Sequence, residues 1–377
     1  MFTLVKRVHV FQPEDLGIKD ILICNDKIAE IGDDLDFGLP NQNCIDGTGM
    51  LAIPGYLDQH VHVTGGGGEG SFKTRVPELK LSDCIKAGVT TVVGLLGTDG
   101  ITRSVENLVA KTKGLNEEGI TAYCLTGSYE YPTRTLTGDV KKDIAFIQEV
   151  LGVKIAISDH RSSHITKDEL TRLASSVRQA SLISGKPGII VFHLGSEKEQ
   201  LNLIFQVLRD TDIPVKHFRP THAQKAVDQA IKFANMGGYV DFTAGDDPGS
   251  ADPVLTALGS ANDPSLITIS TDSNGSMPRW NDKNEMIGLT AGVMTTLHGT
   301  IKALVKEHGV DMPTAISLGT RNVARALEIG DRKGSLGPGL DADVVLLDKS
   351  FDISTVIAKG RLMMHQGEIL VKGTFQR

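Results

Sequence analysis

Eight short β-rich runs alternate with longer amphipathic segments along the middle of the chain, and this rhythm constrains the fold most strongly. Strand–helix repeats in one layer predict parallel strands with right-handed crossovers. Eight units over about 220 residues match a closed (β/α)8 TIM barrel, whereas eight are many for an open doubly wound sheet. The runs are Ala52–His62, Val89–Gly97, Ile120–Ser128, Val153–Ser158, Ile189–His193, Val215–His222, Tyr239–Ala244 and Ile267–Asp272.

The segments between the runs carry helical patterns, and glycines stand before several runs, where helices often end. The segments are Ser104–Gly119, Lys167–Ser184, Glu197–Asp210 and Gln224–Met236, and the glycines are Gly88, Gly119, Gly152 and Gly237.

The two ends of the chain read as short strands separated by turns. We therefore predict an α/β protein with two parts: a barrel domain over 51–329, and a small β-sandwich domain built from 1–50 together with 330–377. Two helical stretches, Asn284–His308 and Asp311–Leu327, would lead from the last barrel strand back to the small domain.

Composition narrows the class of protein. The 377 residues are 40% apolar and 23% charged with a net charge of −7, which argues against a nucleic-acid surface. No apolar run approaches the length of a membrane span. The cysteines, Cys24, Cys44, Cys84 and Cys124, are far apart, which favours a reducing compartment. We expect a cytoplasmic protein.

A pair of histidines ends the first run, and a glycine-rich stretch with Glu69 follows it. In a strand, His60 and His62 point to the same face, so both imidazoles can reach one metal ion. An H-x-H pair alone is a weak signal, since two polar residues at a strand end are also satisfied by backbone or water.

Other strand ends strengthen the metal interpretation, because barrel active sites gather at the carboxyl ends of the strands. His193, His222 and Asp272 end the fifth, sixth and eighth runs. Each has an ordinary alternative: a capped strand end for the histidines, a turn for Asp272. Together with His60 and His62 they form a nitrogen and oxygen donor set suited to zinc or a similar ion.

Lys154 lies within the otherwise apolar fourth run. A buried ammonium is costly unless it is paired, and two explanations stay open. A neighbouring aspartate could form a salt bridge with it. Alternatively, burial lowers its pKa so that the neutral amine takes up carbon dioxide, and the carbamate bridges two cations.

At these residues a resemblance appears: the whole chain resembles the amidohydrolase superfamily, and more narrowly the isoaspartyl dipeptidases, through motifs that span about residues 55 to 280. The motifs that carry the resemblance are "GYLDQHVHVTGGGGEG", "GVTTVVGLLGTDG", "LTGSYEYPTRTLTG", "VKIAISDHRSS", "GKPGIIVFHLG", "PTHAQK" and "STDSNGSMPRW".

The resemblance implies two zinc or similar divalent ions, with His60, His62 and Asp272 on one, His193 and His222 on the other, and Lys154, N6-carboxylated, between them. A hydroxide shared by the cations would attack the isopeptide bond of a β-aspartyl dipeptide. Asp272 would carry the proton to the leaving amine, and the hydroxyl of Tyr129 would stabilise the oxyanion.

Substrate recognition would rest on charge. Glu69 suits the free amine, and Arg161 suits a carboxylate through its fork of donors, with Thr98 and Ser276 adding hydrogen bonds. The family typically carries an arginine where this chain has Lys225, which keeps the charge but loses the bidentate geometry.

Three alternatives remain beside the dipeptidase. One is hydrolysis of a cyclic amide by a dihydroorotase-like or hydantoinase-like enzyme, against which Glu69 argues. A deaminase with one metal would not need Lys154. The third is a metal-free barrel that serves as a binding scaffold. The resemblance also implies a homo-oligomer, with eight subunits as one candidate count, and a small dipeptide as the ligand. From the charge and the lack of a long apolar run we expect neither nucleic acid nor membrane as a partner.

Overall fold

The computed structural model describes residues 2–38, 42–247, 249–280 and 286–376. The chain begins with a group of strands that lie outside the barrel. They are β1 (Phe2–Phe11), β2 (Asp15–Cys24), β3 (Lys27–Gly32), β4 (Gln42–Asp46) and β5 (Leu51–Pro54).

A parallel barrel follows. Its eight strands are β6 (Tyr56–Val61), β7 (Val89–Gly94), β8 (Thr121–Gly127), β9 (Val150–Ile157), β10 (Ile189–Leu194), β11 (Phe218–Thr221), β12 (Val240–Thr243) and β13 (Ile267–Ser270). They pair in sequence order, and a parallel bridge between Val61 and Ser273 brings the first and last strands together. The (β/α)8 prediction is confirmed.

The helices that cover the barrel carry the expected start and stop signals. In α2 (Val105–Glu118) the Ser104 side chain caps the first turn, and Gly119 ends the helix in a left-handed conformation. In α4 (Lys167–Ser184) Thr166 and Glu169 form a capping box. The helices are α1 (Leu81–Lys86), α2, α3 (Val140–Phe146), α4, α5 (Asn202–Asp210), α6 (Val227–Asn235), α7 (Asp252–Ser260), α8 (Thr296–Lys306), α9 (Met312–Ser317) and α10 (Arg321–Ala326).

A hairpin stands between the barrel and α8. Its strands, β14 (Ser276–Trp280) and β15 (Met286–Ala291), pair only with each other among the described strands. The predicted helical stretch Asn284–His308 is therefore wrong over Met286–Ala291 and correct over Thr296–Lys306. Asn284 and Glu285 lie outside the described residues.

The C-terminal strands complete the first sheet. They are β16 (Val344–Leu347), β17 (Ile353–Ala358), β18 (Arg361–His365) and β19 (Glu368–Ile369). The link between the two ends of the chain is β5, which pairs with β1 on one side and β16 on the other. The predicted small domain made from both termini is confirmed.

The predicted first run is two strands rather than one. Leu51–Pro54 belongs to the terminal sheet and Tyr56–Val61 to the barrel, and Gly55 joins them. A Cβ on Gly55 would lie 2.3 Å from Thr90 Oγ1, so only glycine allows the chain to pass between the sheets this closely. The predicted sixth run begins later, at Phe218, because Val215–His217 forms a 3-10 turn.

The barrel interior is layered. Its floor is an apolar cluster that includes Leu57, Val93, Leu125 and Leu151 with residues of α10. Above the floor lies a polar layer around Asp241, which is 1% exposed. The Asp241 carboxylate accepts hydrogen bonds from four side chains, namely Gln59, Thr221, Thr268 and Ser270. This layer supports the side chains at the open end.

No helix among the described residues is long and apolar enough to cross a bilayer.

Candidate metal centre and substrate site

Four histidines, a lysine and an aspartate meet at the carboxyl end of the barrel. His60 Nε2 lies 3.2 Å from Lys154 Nζ and 3.5 Å from Asp272 Oδ1. His62 Nε2 lies 3.0 Å from the same oxygen, and His222 Nε2 lies 3.9 Å from Asp272 Oδ2. The structure thus brings together residues from the first, fourth, sixth and eighth barrel strands and the loops that leave them.

His193 joins the cluster through its ring, whose centroid is 4.5 Å from that of His222. Its nitrogens have other partners: the Tyr129 hydroxyl lies 2.6 Å from Nδ1, and Asp159 Oδ2 lies 2.9 Å from Nε2. Among the described residues, His60, His222 and Asp272 form a compact donor group, whose ligand atoms all lie within 4.8 Å of one another.

Burial sets the protonation of the imidazoles. It lowers the pKa of His60, His193 and His222 well below the ordinary value, and the lysine charge nearby adds to the effect at His60. These three rings are therefore neutral at physiological pH, as metal binding requires.

Two buried polar atoms of the histidine–aspartate cluster have no hydrogen-bond partner among the described residues, as is expected where a cation binds. His222 Nε2 and Asp272 Oδ1 are buried without a hydrogen bond among the described residues. Burial would raise the pKa of Asp272, but its contacts with His62, His222 and Lys154 outweigh this and lower it. An ionised carboxylate beside unshared imidazole nitrogens is a donor set that suits zinc or a similar ion.

Glycines make room for this cluster. A Cβ on Gly97 would lie 2.8 Å from His62 Cε1, and one on Gly275 would lie 2.6 Å from Asp272 Oδ1. The glycine stretch after β6 approaches as closely, since a Cβ on Gly66 would lie 3.1 Å from His62 Nδ1. Side chains at these positions would displace the donors.

Lys154 is fully buried, and burial lowers its pKa to about 7 despite the opposing charges of Asp272 and Asp241. The ion pairs among the described residues do not include it, and its hydrogen-bond partner there is His60 Nε2. Among the residues that the structure describes, no aspartate forms the salt bridge with Lys154 that was one of the two explanations from sequence.

Three charged side chains, those of Glu69, Asp159 and Arg161, adjoin the histidines. Arg161 lies between Glu69 and Asp159. Its Nη1 is 2.9 Å from Glu69 Oε1, and its Nε and Nη2 donate to the Asp159 carboxylate. Its guanidinium carbon is 5.2 Å from the centroid of the Tyr129 ring. Glu69 and Arg161 are each about a quarter exposed, so a ligand can reach both.

The other predicted substrate residues lie around the mouth with less defined contacts. Lys225 Nζ donates to the Leu194 carbonyl at 2.8 Å, and burial lowers its pKa. The Thr98 hydroxyl is buried without a partner among the described residues. Ser276 begins β14 beside Gly67.

Sequence reasoning missed two groups. One is Asp159 in the "VKIAISDHRSS" motif, which contacts both Arg161 and His193. Its acidic side chain right after a barrel strand was the available signal. The layer below the site, where Thr221 joins His60 Nδ1 to Asp241, had no sequence signal because it joins residues from separate strands.

Comparisons with known proteins agree with this geometry. A sequence model of the amidohydrolase family matches residues 250–363. A solved β-aspartyl dipeptidase from Fervidobacterium islandicum AW-1, in complex with β-Asp-Leu dipeptide, is 41% identical with a TM-score of 0.91, covering 98% of this chain and 97% of that chain.

More distant curated relatives have other activities. A dihydroorotase from Elusimicrobium minutum (strain Pei191) is 26% identical over 403 residues, 92% of this chain and 88% of the relative. An adenine deaminase from Thermosipho africanus (strain TCF52B) is 23% identical over 383 residues, 97% of this chain, which spans only 58% of the deaminase's length. The near-complete match to the solved dipeptidase decides the assignment: the chain belongs to the amidohydrolase superfamily and, within it, to the family of β-aspartyl dipeptidases.

Proposed function

We propose that the chain is a binuclear, zinc-dependent isoaspartyl dipeptidase that hydrolyses the isopeptide bond of β-aspartyl dipeptides. The observation that carries the proposal is the Glu69–Arg161 pair, joined at 2.9 Å, beside a buried histidine–aspartate cluster. Opposite charges at the edge of a hydrolytic site suit a small zwitterion with a free amine and free carboxylates.

Two divalent ions fit the donor set. His60, His62 and Asp272 would hold one ion, and His193 and His222 the other, with Lys154 between them as the N6-carboxylate. The pKa of Lys154 near 7 supports this role, because an appreciable fraction of its amine is neutral and able to react with carbon dioxide. When bound, the two ions lower the pKa of the attacking water and polarise the scissile carbonyl.

Asp272 would move the proton. Its side chain is 14% exposed and its carboxylate lies among the imidazoles, so it can meet both the water and the leaving group. It would accept a proton from the water as the new C–O bond forms. It would then deliver that proton to the nitrogen as the C–N isopeptide bond breaks, releasing aspartate and the second amino acid.

Tyr129 would act as a hydrogen-bond donor to the oxyanion. Burial raises its pKa well above the ordinary value, so its hydroxyl stays protonated over the whole physiological range. A donor that does not ionise is what an oxyanion site requires.

Substrate binding would replace the ion pair between Glu69 and Arg161 with contacts to the substrate. The substrate ammonium would bind Glu69 and a substrate carboxylate would bind Arg161, with Lys225, Thr98 and Ser276 around them. Four free cysteines support a reducing, cytoplasmic location, and a homo-oligomer stays a prediction from the family.

A second candidate is hydrolysis of a cyclic amide, which the dihydroorotase likeness at 26% identity favours. A cyclic amide has no free amine for Glu69. Glu69 would therefore be needed for hydrolysis of a β-aspartyl dipeptide but not for hydrolysis of a cyclic amide.

A substrate panel on the zinc-loaded protein tests the proposal. We expect hydrolysis of β-Asp-Leu, with N-acetyl-β-Asp-Leu at least about 10²-fold poorer in kcat/KM, the size expected when a charged partner is lost. α-Asp-Leu keeps every charge but exchanges the positions of its scissile carbonyl and free carboxylate, and we expect a loss on the order of 10²-fold from this misplacement. Turnover of dihydroorotate without turnover of β-Asp-Leu would support the cyclic-amide alternative and contradict the proposal.

A further inference from the structure

Asp159 connects the two halves of the site. It follows β9, it is 4% exposed, and its carboxylate contacts His193 on one side and Arg161 on the other. We infer that Asp159 is a positioning residue. It determines which ring nitrogen of His193 is free to bind the metal, and it fixes the orientation of the Arg161 guanidinium. The inference rests on the proposed function for the roles of those two residues.

The contact with His193 determines the tautomer of the ring. Asp159 Oδ2 lies 2.9 Å from His193 Nε2, and a carboxylate oxygen only accepts. Nε2 therefore carries the hydrogen, and Nδ1 presents a lone pair. Arg161 Nη2 lies 3.2 Å from the same ring nitrogen, but its hydrogen goes to Asp159 Oδ2, which is closer at 2.7 Å.

The Tyr129 hydroxyl marks the free nitrogen. It lies 2.6 Å from His193 Nδ1, where it can donate into the lone pair. In the metal-loaded protein that lone pair would bind the ion instead. A metal-binding histidine whose other N–H is held by a carboxylate is a more basic and better oriented ligand.

Asp159 differs in this respect from the partner of His222. Thr243 Oγ1 lies 2.7 Å from His222 Nδ1, and a hydroxyl can either donate or accept. It therefore orients the ring without choosing the tautomer, whereas the carboxylate of Asp159 does both.

The contacts with Arg161 use every remaining acceptor position. Asp159 Oδ1 accepts from the Arg161 backbone N–H and from Nε, each at 2.9 Å, and Oδ2 accepts from Nη2. Because Asp159 holds Nε and Nη2, the Nη1 group, which bonds Glu69 at 2.9 Å, remains to face the ligand. A fixed guanidinium binds a carboxylate at a smaller entropic cost.

The substitution Asp159→Asn separates this role from simple packing, because it is nearly isosteric. An amide group has one acceptor oxygen, so its NH₂ must face either His193 and Arg161 Nη2 or the Arg161 backbone and Nε. In the first orientation His193 has to change tautomer and turn a hydrogen toward the metal. The second orientation sets the NH₂ against the Arg161 backbone N–H and Nε, which cannot accept a hydrogen bond, so the first orientation is favoured.

The experiment measures metal binding and kinetics separately. Zinc affinity of Asp159→Asn is measured by competition with a chromophoric chelator and no substrate, and KM and kcat are measured with β-Asp-Leu. Asp343→Asn is the matched control, because Asp343 is also a buried carboxylate, which lies just before β16 and is bonded to Lys333. Thermal melting verifies that both variants fold.

We expect Asp159→Asn to lose about 10- to 100-fold in affinity for one of two zinc ions and to raise KM, while Asp343→Asn changes neither. Unchanged zinc affinity in a folded Asp159→Asn protein overturns the inference. Because the zinc measurement uses no substrate, it stands whether or not β-Asp-Leu is hydrolysed.

A second measurement needs no variant. Nitrogen-15 NMR of the metal-free wild-type protein, labelled at histidine, reports the tautomer of each ring. We expect His193 to carry its hydrogen on Nε2, and a hydrogen on Nδ1 would contradict the inference.

Discussion

Gly97→Ala is predicted to damage the metal centre while leaving the fold intact. A Cβ at this position would lie 2.8 Å from His62 Cε1, and ordinary van der Waals contact begins at 3.4 Å. The imidazole must therefore move by about 0.6 Å, and a displacement of about 1 Å at a catalytic group costs on the order of 10²-fold in rate. We expect kcat/KM for β-Asp-Leu to fall roughly 10- to 100-fold.

Gly114→Ala supplies the control. Gly114 lies within α2, and an added Cβ meets no atom within 4 Å. Alanine in a helix interior is more stable than glycine by about 0.5–1 kcal/mol, so this variant should melt slightly higher with unchanged kcat/KM. Zinc content, melting temperature and kinetics are measured for both variants. A Gly97→Ala protein with wild-type zinc content and kinetics would refute the account of His62.

Three further predictions concern the charged groups. Glu69→Gln should raise KM for β-Asp-Leu by about 10- to 100-fold, the loss of one charge-assisted hydrogen bond; an unchanged KM would remove Glu69 from amine recognition. Lys154→Met should fold, bind one zinc ion instead of two and lose ~10³-fold or more in kcat; two tightly bound ions would contradict the bridging role. The pKa of Asp341 is lowered to about 2, because hydrogen bonds and charges from Lys27 and Lys333 outweigh the effect of burial. Its contribution to stability is therefore present above its unfolded pKa of 3.8 and is lost as pH falls through about 2. Asp341→Asn should flatten the urea stability profile over this acid range, and an unaltered profile would contradict the assignment.

Local chemistry explains which parts of the fold could be predicted. α4 has the predicted bounds, Lys167–Ser184, because its apolar spacing, its cap and the glycine after it all lie within the segment. Strand β15 was missed because Met286–Ala291 is stabilised by pairing with Ser276–Trp280, and exposed apolar residues such as Ile287 resemble the start of the following helix.

The site residues likewise divide into those that local sequence indicates and those that depend on distant contacts. Its histidines and Asp272 could be predicted because they directly follow strands or end them, and parallel strands bring such ends together. The place of Asp159 right after a barrel strand marks it as a site residue, but its bond to His193, 34 residues away in sequence, could not be predicted. The support under His60 depends likewise on Thr221 and Asp241, from two other strands.

Zinc stoichiometry measured together with hydrolysis of β-Asp-Leu tests the central claim most directly. The account predicts two zinc ions per chain, loss of hydrolysis when a chelator removes them, and recovery when zinc is added back. Protein that holds both ions and still does not cleave β-Asp-Leu would contradict the proposed substrate, and folded protein that binds no divalent ion would contradict the metal centre itself.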